Sequence, residues 1–241
     1  EIEVSWFNSN NGNPVTIKSP DEDAITTNQH EYIRQFFNKV ENQWKTYLDL
    51  NTFLRHFLVG ELSGNTDTYC SVFMYKQRDD DMMYTGPVWD FDLAFDNDER
   101  TYPVHNKSSY IYRSGGSCTG NMKSFVNKIV INNATAKAQM VDIWDEARQG
   151  GLTEKNLVAF IDSLETALQE SQRLNFIRWP IINQYVHQNP RLWGSFQAEV
   201  ENVRTFMKER IAWMDKRLNY TYVDNGISDE LVDFTQSYRV S

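Results

Sequence analysis

The chain has 241 residues, of which 40% are hydrophobic, 14% aromatic and 24% charged. This length and composition predict a folded globule of one domain, with room for an appendage, and exclude a largely disordered chain. The formal net charge of −9 argues against a nucleic-acid-binding protein, because an acidic surface repels polyanions.

The sequence predicts no membrane-spanning segment, because no apolar run approaches the ~18 residues that a spanning helix requires. The first residues also lack the charged and then apolar pattern of a leader peptide. Cys70 and Cys118 match no metal-ligand spacing, and two cysteines alone leave open whether they form a disulfide bond.

In chain order, three segments are predicted. Residues 1–27 form an N-terminal segment with two short strands around a turn rich in Asn and Gly. Residues 28–220 form a helical body, because apolar residues recur there with a period near 3.6. Residues 221–241 are predicted to be a tail or linker, since this periodicity fades after Tyr220.

The helical body is interrupted by one small hairpin. Residues 70–76 and 82–84 alternate in part between apolar and polar side chains, which predicts two antiparallel strands. Residues 98–122, rich in Gly and Ser, predict a long irregular loop. The fold class is therefore mainly α (α+β). The predicted helices span about residues 28–47, 50–62, 122–130, 134–149, 157–175 and 198–218.

Two acidic motifs flank the hairpin. Asp67 follows the second helix in a loop, and Asp90 and Asp92 follow the hairpin among large apolar residues. An isolated carboxylate is costly to remove from water, so acids within an apolar segment indicate a bound cation. Helix, loop acid, hairpin and second acid is also the order in which protein kinases present their catalytic base and their magnesium ligand.

Each acid has a role in such chemistry and a plain alternative. Magnesium needs only one or two carboxylates, so Asp90 alone suffices as its ligand, while Asp67 is placed to orient an attacking hydroxyl. As alternatives, an Asp after a helix is commonly a turn residue, and the acids at 79–81 in the hairpin turn form either a metal site or a solvated tip. No Gly-x-Ser-x-Gly, His-Glu-x-x-His or Walker-type phosphate loop occurs.

Three blocks at residues 61–67, 71–76 and 86–95 resemble the spore coat protein CotH kinase family, and they occur in that family's order and spacing. The most specific part is the run Trp89-Asp90-Phe91-Asp92. The resemblance extends through the last helix and covers most of residues 20–218.

This resemblance implies a protein-kinase-like C-lobe that uses ATP and Mg²⁺ or Mn²⁺ to phosphorylate Ser or Thr hydroxyls of a protein substrate. It also implies a location outside the cytoplasm, whether secreted, at the cell surface or in the spore coat. By their match to the family's motifs, Asp67 is the catalytic acid and Asp90 the metal-binding acid. Asn65, Asp92 and Asn97 are weaker candidates for contacts with the metal or the phosphates.

The chain departs from ordinary kinases in two places. Val72 stands five residues after Asp67, where an ordinary kinase has an Asn that binds a second metal ion. Residues 1–27 contain no glycine-rich phosphate loop, so they are interpreted as a remnant of an N-lobe, and this fragment alone is expected to be inactive.

Two other interpretations stay open. The first is a non-catalytic surface or coat module outside the cytoplasm that binds a partner through an aromatic-rich cleft. The second is carbohydrate recognition by exposed tryptophans. The sequence leaves the protein substrate, the nucleotide preference and the oligomeric state undetermined.

Overall fold

The computed structural model describes residues 5–104, 110–113 and 120–221, without the side chains of residues 120–122. Within these ranges the chain forms seven α-helices and two antiparallel two-stranded sheets, which confirms the predicted mainly α fold with a small hairpin. The helices are α1 (Thr27–Asn42), α2 (Trp44–Tyr47), α3 (Leu50–Ser63), α4 (Gly120–Val126), α5 (Ala134–Gln149), α6 (Glu154–Arg178) and α7 (Phe196–Leu218). The strands are β1 (Trp6–Asn8), β2 (Pro14–Thr16), β3 (Met74–Lys76) and β4 (Met83–Thr85).

Parts of three predictions fall outside these ranges. The predicted tail beyond residue 221 lies outside the described residues, and so does much of the predicted loop at 98–122. Cys70 takes part in a disulfide bond, and the chain's other cysteine, Cys118, lies outside the described residues.

The first predicted helix, residues 28–47, is divided in the structure. α1 begins with a capping box in which Thr26 and Gln29 bind each other's backbone N–H groups. The helical path ends at Gln43, whose φ of −127° and ψ of 43° leave the helical region, and α2 restarts at the buried Trp44. The break makes the prediction of one continuous helix wrong. Periodicity gave no sign of it, because Trp44 continues the apolar period on the other side.

β1 and β2 form a hairpin that packs against the helical body. Phe7 opposes Val15 in this hairpin, and its side chain is buried. At the hairpin tip, Ser9 Oγ donates to Glu41 Oε1 over 2.9 Å, and Asn11 Nδ2 donates to Glu41 Oε2 over 3.1 Å. The buried carboxylate of Glu41 therefore ties the N-terminal segment to α1.

α3 is at the centre of the core and packs against α5, α7 and β4. Its buried apolar residues are Phe53, Leu54, Phe57 and Leu58. The second hairpin joins the start of this helix, because Thr85 N donates to Thr52 Oγ1 over 3.1 Å. Near the other end, Gly60 lies so close to Thr68 that a Cβ atom would overlap the threonine side chain.

Glu61 on α3 is a fully buried carboxylate with a complete set of partners. Its oxygens accept hydrogen bonds from the Tyr69 hydroxyl, from Ile111 N, from Tyr112 N and from the Arg210 guanidinium. Burial raises the pKa of Glu61 to about 7, although the charge of Arg210 and the hydrogen bonds act in the opposite direction. This network fixes α7 and the turn at Ile111 against α3.

α6 lies at the surface, packed against α7, and none of its residues is buried. It is longer than the predicted 157–175 at both ends. Its N-cap is Thr153, whose side chain accepts a hydrogen bond from Asn156 N over 3.1 Å. Among the described residues, none of the helices combines the length and the apolar character that crossing a bilayer requires.

Candidate active site

The end of α3 positions the first predicted acid. Gly64 ends the helix in the left-handed conformation, with φ of 67°, and a Cβ atom there would lie 2.9 Å from the Phe206 ring. Asn65 then caps the short 3₁₀ helix Thr66–Tyr69 by accepting a hydrogen bond from Asp67 N over 3.1 Å. Asp67 therefore lies in the first turn of this short helix, with its side chain 27% exposed.

The loop after β4 positions the second acidic motif. Asp90 and Asp92 are both exposed, and the Asp90 backbone has a left-handed φ of 60°. Asp and Asn adopt this conformation more readily than most residues do. The preceding Trp89 donates from its indole N–H to Ser71 O over 2.9 Å, and its ring packs on Phe73. These contacts attach the acidic loop to the segment that leads into β3.

Asn65 connects the two motifs. It is only 1% exposed, and both ends of its amide are engaged. Its Oδ1 accepts from Asp67 N, and its Nδ2 donates to Asp90 O over 2.9 Å. The backbones of the two predicted acids therefore meet at a single buried side chain, although many residues separate them in the sequence.

The exposed acids influence one another. A hydrogen bond with the Asp92 side chain raises the pKa of Asp90, and partial desolvation and the negative charges of Asp92 and Asp67 act in the same direction. The two motifs thus concentrate negative charge at this surface, which a bound cation would neutralise.

Arg100 and Asp98 complete the site on the Asp67 side, and the sequence analysis did not identify either residue. Arg100 binds the buried Asp98 through two guanidinium nitrogens, at 2.9 and 2.7 Å, and reaches Asp67 Oδ1 at 3.3 Å. Burial alone would raise the pKa of Asp98, but the hydrogen bonds from Arg100 outweigh it and hold the pKa below its usual value. The only signal in the sequence was an acid and a base two residues apart, directly after the Asp90 motif.

Asn97 links the acidic loop to a distant part of the chain. Its Nδ2 donates to Asp92 O over 2.7 Å, and its Oδ1 accepts from Asn189 Nδ2 over 3.0 Å. Beside it, Glu99 N donates to Gln188 O over 2.9 Å. The segment between α6 and α7 therefore contacts the loop that carries Asp92.

A magnesium ion suits these residues without a closed cage of protein ligands. In the described part of the chain, no group of three His, Cys, Asp or Glu side chains is arranged to hold a metal ion. Magnesium commonly binds one or two carboxylates and completes its shell with water and phosphate oxygens. Asp90 and Asp92, which are both exposed and lie in one loop, fit this requirement.

The acids in the hairpin turn have a different surrounding. Asp80 Oδ1 accepts from Met82 N over 3.1 Å, and its Oδ2 accepts from the Tyr84 hydroxyl over 2.7 Å. Because this carboxylate closes the turn itself, the structure favours the solvated tip over a metal site at residues 79–81.

Comparison with known proteins gives one match. The family model described as CotH kinase protein matches residues 4–214, which include both acidic motifs. No curated protein and no solved structure gives a significant match.

Proposed function

The chain belongs to the CotH kinase protein family, and from this membership we propose that the full-length protein transfers the γ-phosphate of ATP to Ser or Thr hydroxyls of a protein substrate. The reaction requires a divalent cation, Mg²⁺ or Mn²⁺. We place the protein outside the cytoplasm, at a surface or coat, as the resemblance to the spore coat protein CotH kinase family suggests.

The single observation that carries this proposal is the contact of Asn65 with both acidic motifs. Phosphoryl transfer needs little covalent chemistry from the protein, and instead requires a metal ligand and a base placed around one phosphoryl group. A buried amide that fixes the backbone of Asp67 relative to that of Asp90 meets this requirement. It supports the pairing of these two acids in one site.

Each residue has a proposed role. Asp90, assisted by Asp92, holds the cation, which when bound neutralises charge on the transferred phosphate. Asp67 accepts the proton of the substrate hydroxyl, and Arg100 orients its carboxylate. Both ends of the Asn65 amide already bind the backbone, which favours a positioning role for it over direct contact with metal or phosphate.

Asn97 has a smaller proposed part in the site. Its two hydrogen bonds fix the loop that carries Asp92, so it supports the cation site from behind. A direct contact with the nucleotide is secondary for this residue, because both groups of its amide are engaged with protein atoms.

A second candidate function is a non-catalytic surface or coat module with the same fold. The observation that favours it is the ion pair between Arg100 and Asp67, which engages the carboxylate that a catalytic base must keep available. In this case the acidic loop binds a partner and transfers no phosphate.

Two variants of the full-length protein test the catalytic proposal. Asp67→Asn is expected to reduce transfer of radiolabelled phosphate from ATP to a peptide library by about 10²–10⁴-fold, a typical contribution of general acid–base catalysis. Asp90→Asn is expected to abolish the metal-dependent transfer, because it removes the proposed cation ligand. Asn is chosen at position 90 because it tolerates the left-handed φ of 60°, so the fold is retained.

A matched control is available in the hairpin turn. Asp79 has a left-handed φ of 61° and lies outside the site, so Asp79→Asn makes the same chemical change in the same backbone conformation. It should leave activity unchanged. Full activity in Asp90→Asn would contradict the catalytic proposal, and a full-length protein that binds neither ATP nor Mg²⁺ in calorimetry would favour the second candidate.

A further inference from the structure

One stretch of the chain has a charge opposite to that of the whole. Residues 171–198 contain three Arg and no Asp or Glu, although the chain has a net charge of −9. The stretch covers the end of α6, the connection to α7 and the first residues of α7. We call residues 171–191 the basic segment.

The basic segment also exposes large apolar side chains. Ile177 is 67% exposed and Tyr185 is 69% exposed, and Leu174 and Trp179 are each more than half exposed. Exposed apolar groups grouped in one part of a surface mark sites of interaction more often than scattered ones do. Aromatic residues and Arg are the types that are enriched at protein interfaces.

Two arginines of the segment are available to a partner. Arg173 pairs with Glu170 one turn before it on α6. Arg178 lies over the Trp179 ring, with 5.6 Å between the guanidinium carbon and the ring centroid, and is exposed. Arg191 is also exposed, and neither Arg178 nor Arg191 has a carboxylate partner within the described ranges.

The basic segment reaches the candidate active site through fixed contacts. A turn is closed between Val186 and Asn189, because Asn189 N donates to Val186 O over 3.1 Å and Asn189 Oδ1 accepts from Val186 N over 3.1 Å. Asn189 also donates to Asn97, which in turn donates to Asp92 O. Tyr185 and Val186 are therefore held next to the loop that carries the proposed cation ligands.

We propose that the basic segment is the docking surface for the protein substrate, and that the docked part of the substrate is an apolar stretch with acidic residues. This inference rests on the proposed kinase function and specifies its substrate class. Arg178 and Arg191 attract acidic side chains, and the exposed Ile177 and Tyr185 contact apolar ones. The acids of the active site repel further acids, so the docked stretch lies apart from the hydroxyl that receives the phosphate.

Binding of a pair of short fluorescent peptides to the full-length protein tests this proposal. One peptide contains Glu, Leu, Tyr and Ser, and the other has Lys in place of every Glu. We expect the acidic peptide to bind in fluorescence anisotropy, more weakly as salt is raised, and the basic peptide to bind at least about tenfold more weakly, since rim charges set specificity and are screened by salt.

The double variant Arg178→Glu/Arg191→Glu should weaken binding of the acidic peptide about tenfold, because two attractions become repulsions. The control Lys45→Glu/Lys137→Glu makes the same change of charge at exposed positions on α2 and α5 and should leave binding unchanged. All four side chains are exposed, so both variants should unfold at the wild-type temperature.

Several results would overturn the docking proposal. Equal binding of the two peptides would do so, as would equal weakening in the two double variants. Sedimentation that reveals self-association lost in Arg178→Glu/Arg191→Glu would identify a second copy of the chain as the occupant. Binding to anionic phosphatidylglycerol vesicles that the same variant loses, without a preference between peptides, would identify a lipid surface instead.

The design separates this inference from the proposed function. Peptide binding is measured without nucleotide, and Asp90→Asn should bind the acidic peptide as the wild type does. An inactive Asp90→Asn together with no peptide preference overturns the docking proposal alone. An active Asp90→Asn together with a clear preference overturns the kinase proposal and leaves a binding surface for acidic, apolar peptides.

Discussion

Glu61 and the pair Asp90 and Asp92 lie near the same end of α3, but their surroundings are opposite in kind. Glu61 is fully buried and accepts hydrogen bonds from four groups, among them the charged Arg210. Asp90 and Asp92 are exposed, and the nearest charged groups that raise the pKa of Asp90 are other acids. In the first arrangement the fold itself supplies the partners, whereas the second leaves its carboxylates open to the cation that we propose.

Partners, and not position in the sequence, distinguish the structural acid Glu61 from the acids that we propose as functional. A buried charge must be matched by partners that the chain itself supplies, because an unmatched one is very costly. An exposed group of acids carries a smaller penalty, which binding of a cation relieves. Loss of a partner of Glu61 should therefore destabilise the fold, whereas loss of the Asp90 carboxylate should reduce the proposed activity.

The largest expected effect on stability comes from Arg210→Leu. At pH 8, above the pKa of about 7, this change leaves the Glu61 carboxylate without its cation inside the core and should lower the free energy of unfolding by about 3–5 kcal/mol, the usual cost of breaking a buried pair. Urea unfolding followed by tryptophan fluorescence measures it. Asp90→Asn, which removes a charge at the exposed site, should leave the free energy of unfolding close to that of the wild type. Similar losses of stability in both variants would contradict the difference drawn between the buried and the exposed acids.

A smaller change in the free energy of unfolding is expected when the pH is varied. Burial raises the pKa of Glu61 to about 7 in the fold, above its ordinary value of 4.5. A raised pKa in the folded state means that this group stabilises the protein fully below pH 4.5 and loses that contribution as pH rises through 7. The stability of the wild type relative to Glu61→Gln should therefore fall between pH 4.5 and 7, in urea titrations at several pH values. A relative stability that rises over this range would show that Arg210 dominates and keeps Glu61 ionised.

An effect on stability that is smaller than those expected at Glu61 comes from Asn65→Ala, which removes the contact between the two acidic motifs. Two hydrogen bonds are lost near the surface of the core, which should cost about 1–2 kcal/mol. Phosphotransfer should fall in Asn65→Ala and stay unchanged in Asp79→Asn, at a temperature where both variants are folded. The matched change Asn42→Ala removes one local hydrogen bond on α1 and should cost less than about 1 kcal/mol. Wild-type activity in Asn65→Ala would contradict the positioning role.

Local patterns in the sequence were sufficient to predict the positions of most of the helices. The predicted 134–149 coincides with α5, and the hairpin was placed within a few residues, because apolar periodicity and turn residues are local signals. The break at Gln43 was missed because the apolar period continues across it. Periodicity reports which face of a helix is buried, and it is silent about a change of direction between two helices.

The contacts that build the candidate site were harder to predict from the sequence. The order of the two acidic motifs suggested that Asp67 and Asp90 act together, but it gave no reason to assign the connection to Asn65. Arg100 and Asp98 escaped notice because their meeting with Asp67 depends on how the loop folds back on α3. Glu61 and Arg210 lie far apart in the chain, so neither spacing nor composition could pair them.

Gly60 has a consequence that reaches beyond packing. Its hydrogen atom sits where any side chain would push Thr68 aside, and Thr68 follows Asp67 directly. The missing side chain at Gly60 thus sets the distance between α3 and the proposed base, Asp67. Gly60→Ala would push Thr68 and with it Asp67 away from α3, although Gly60 itself contacts none of the groups that are proposed to react.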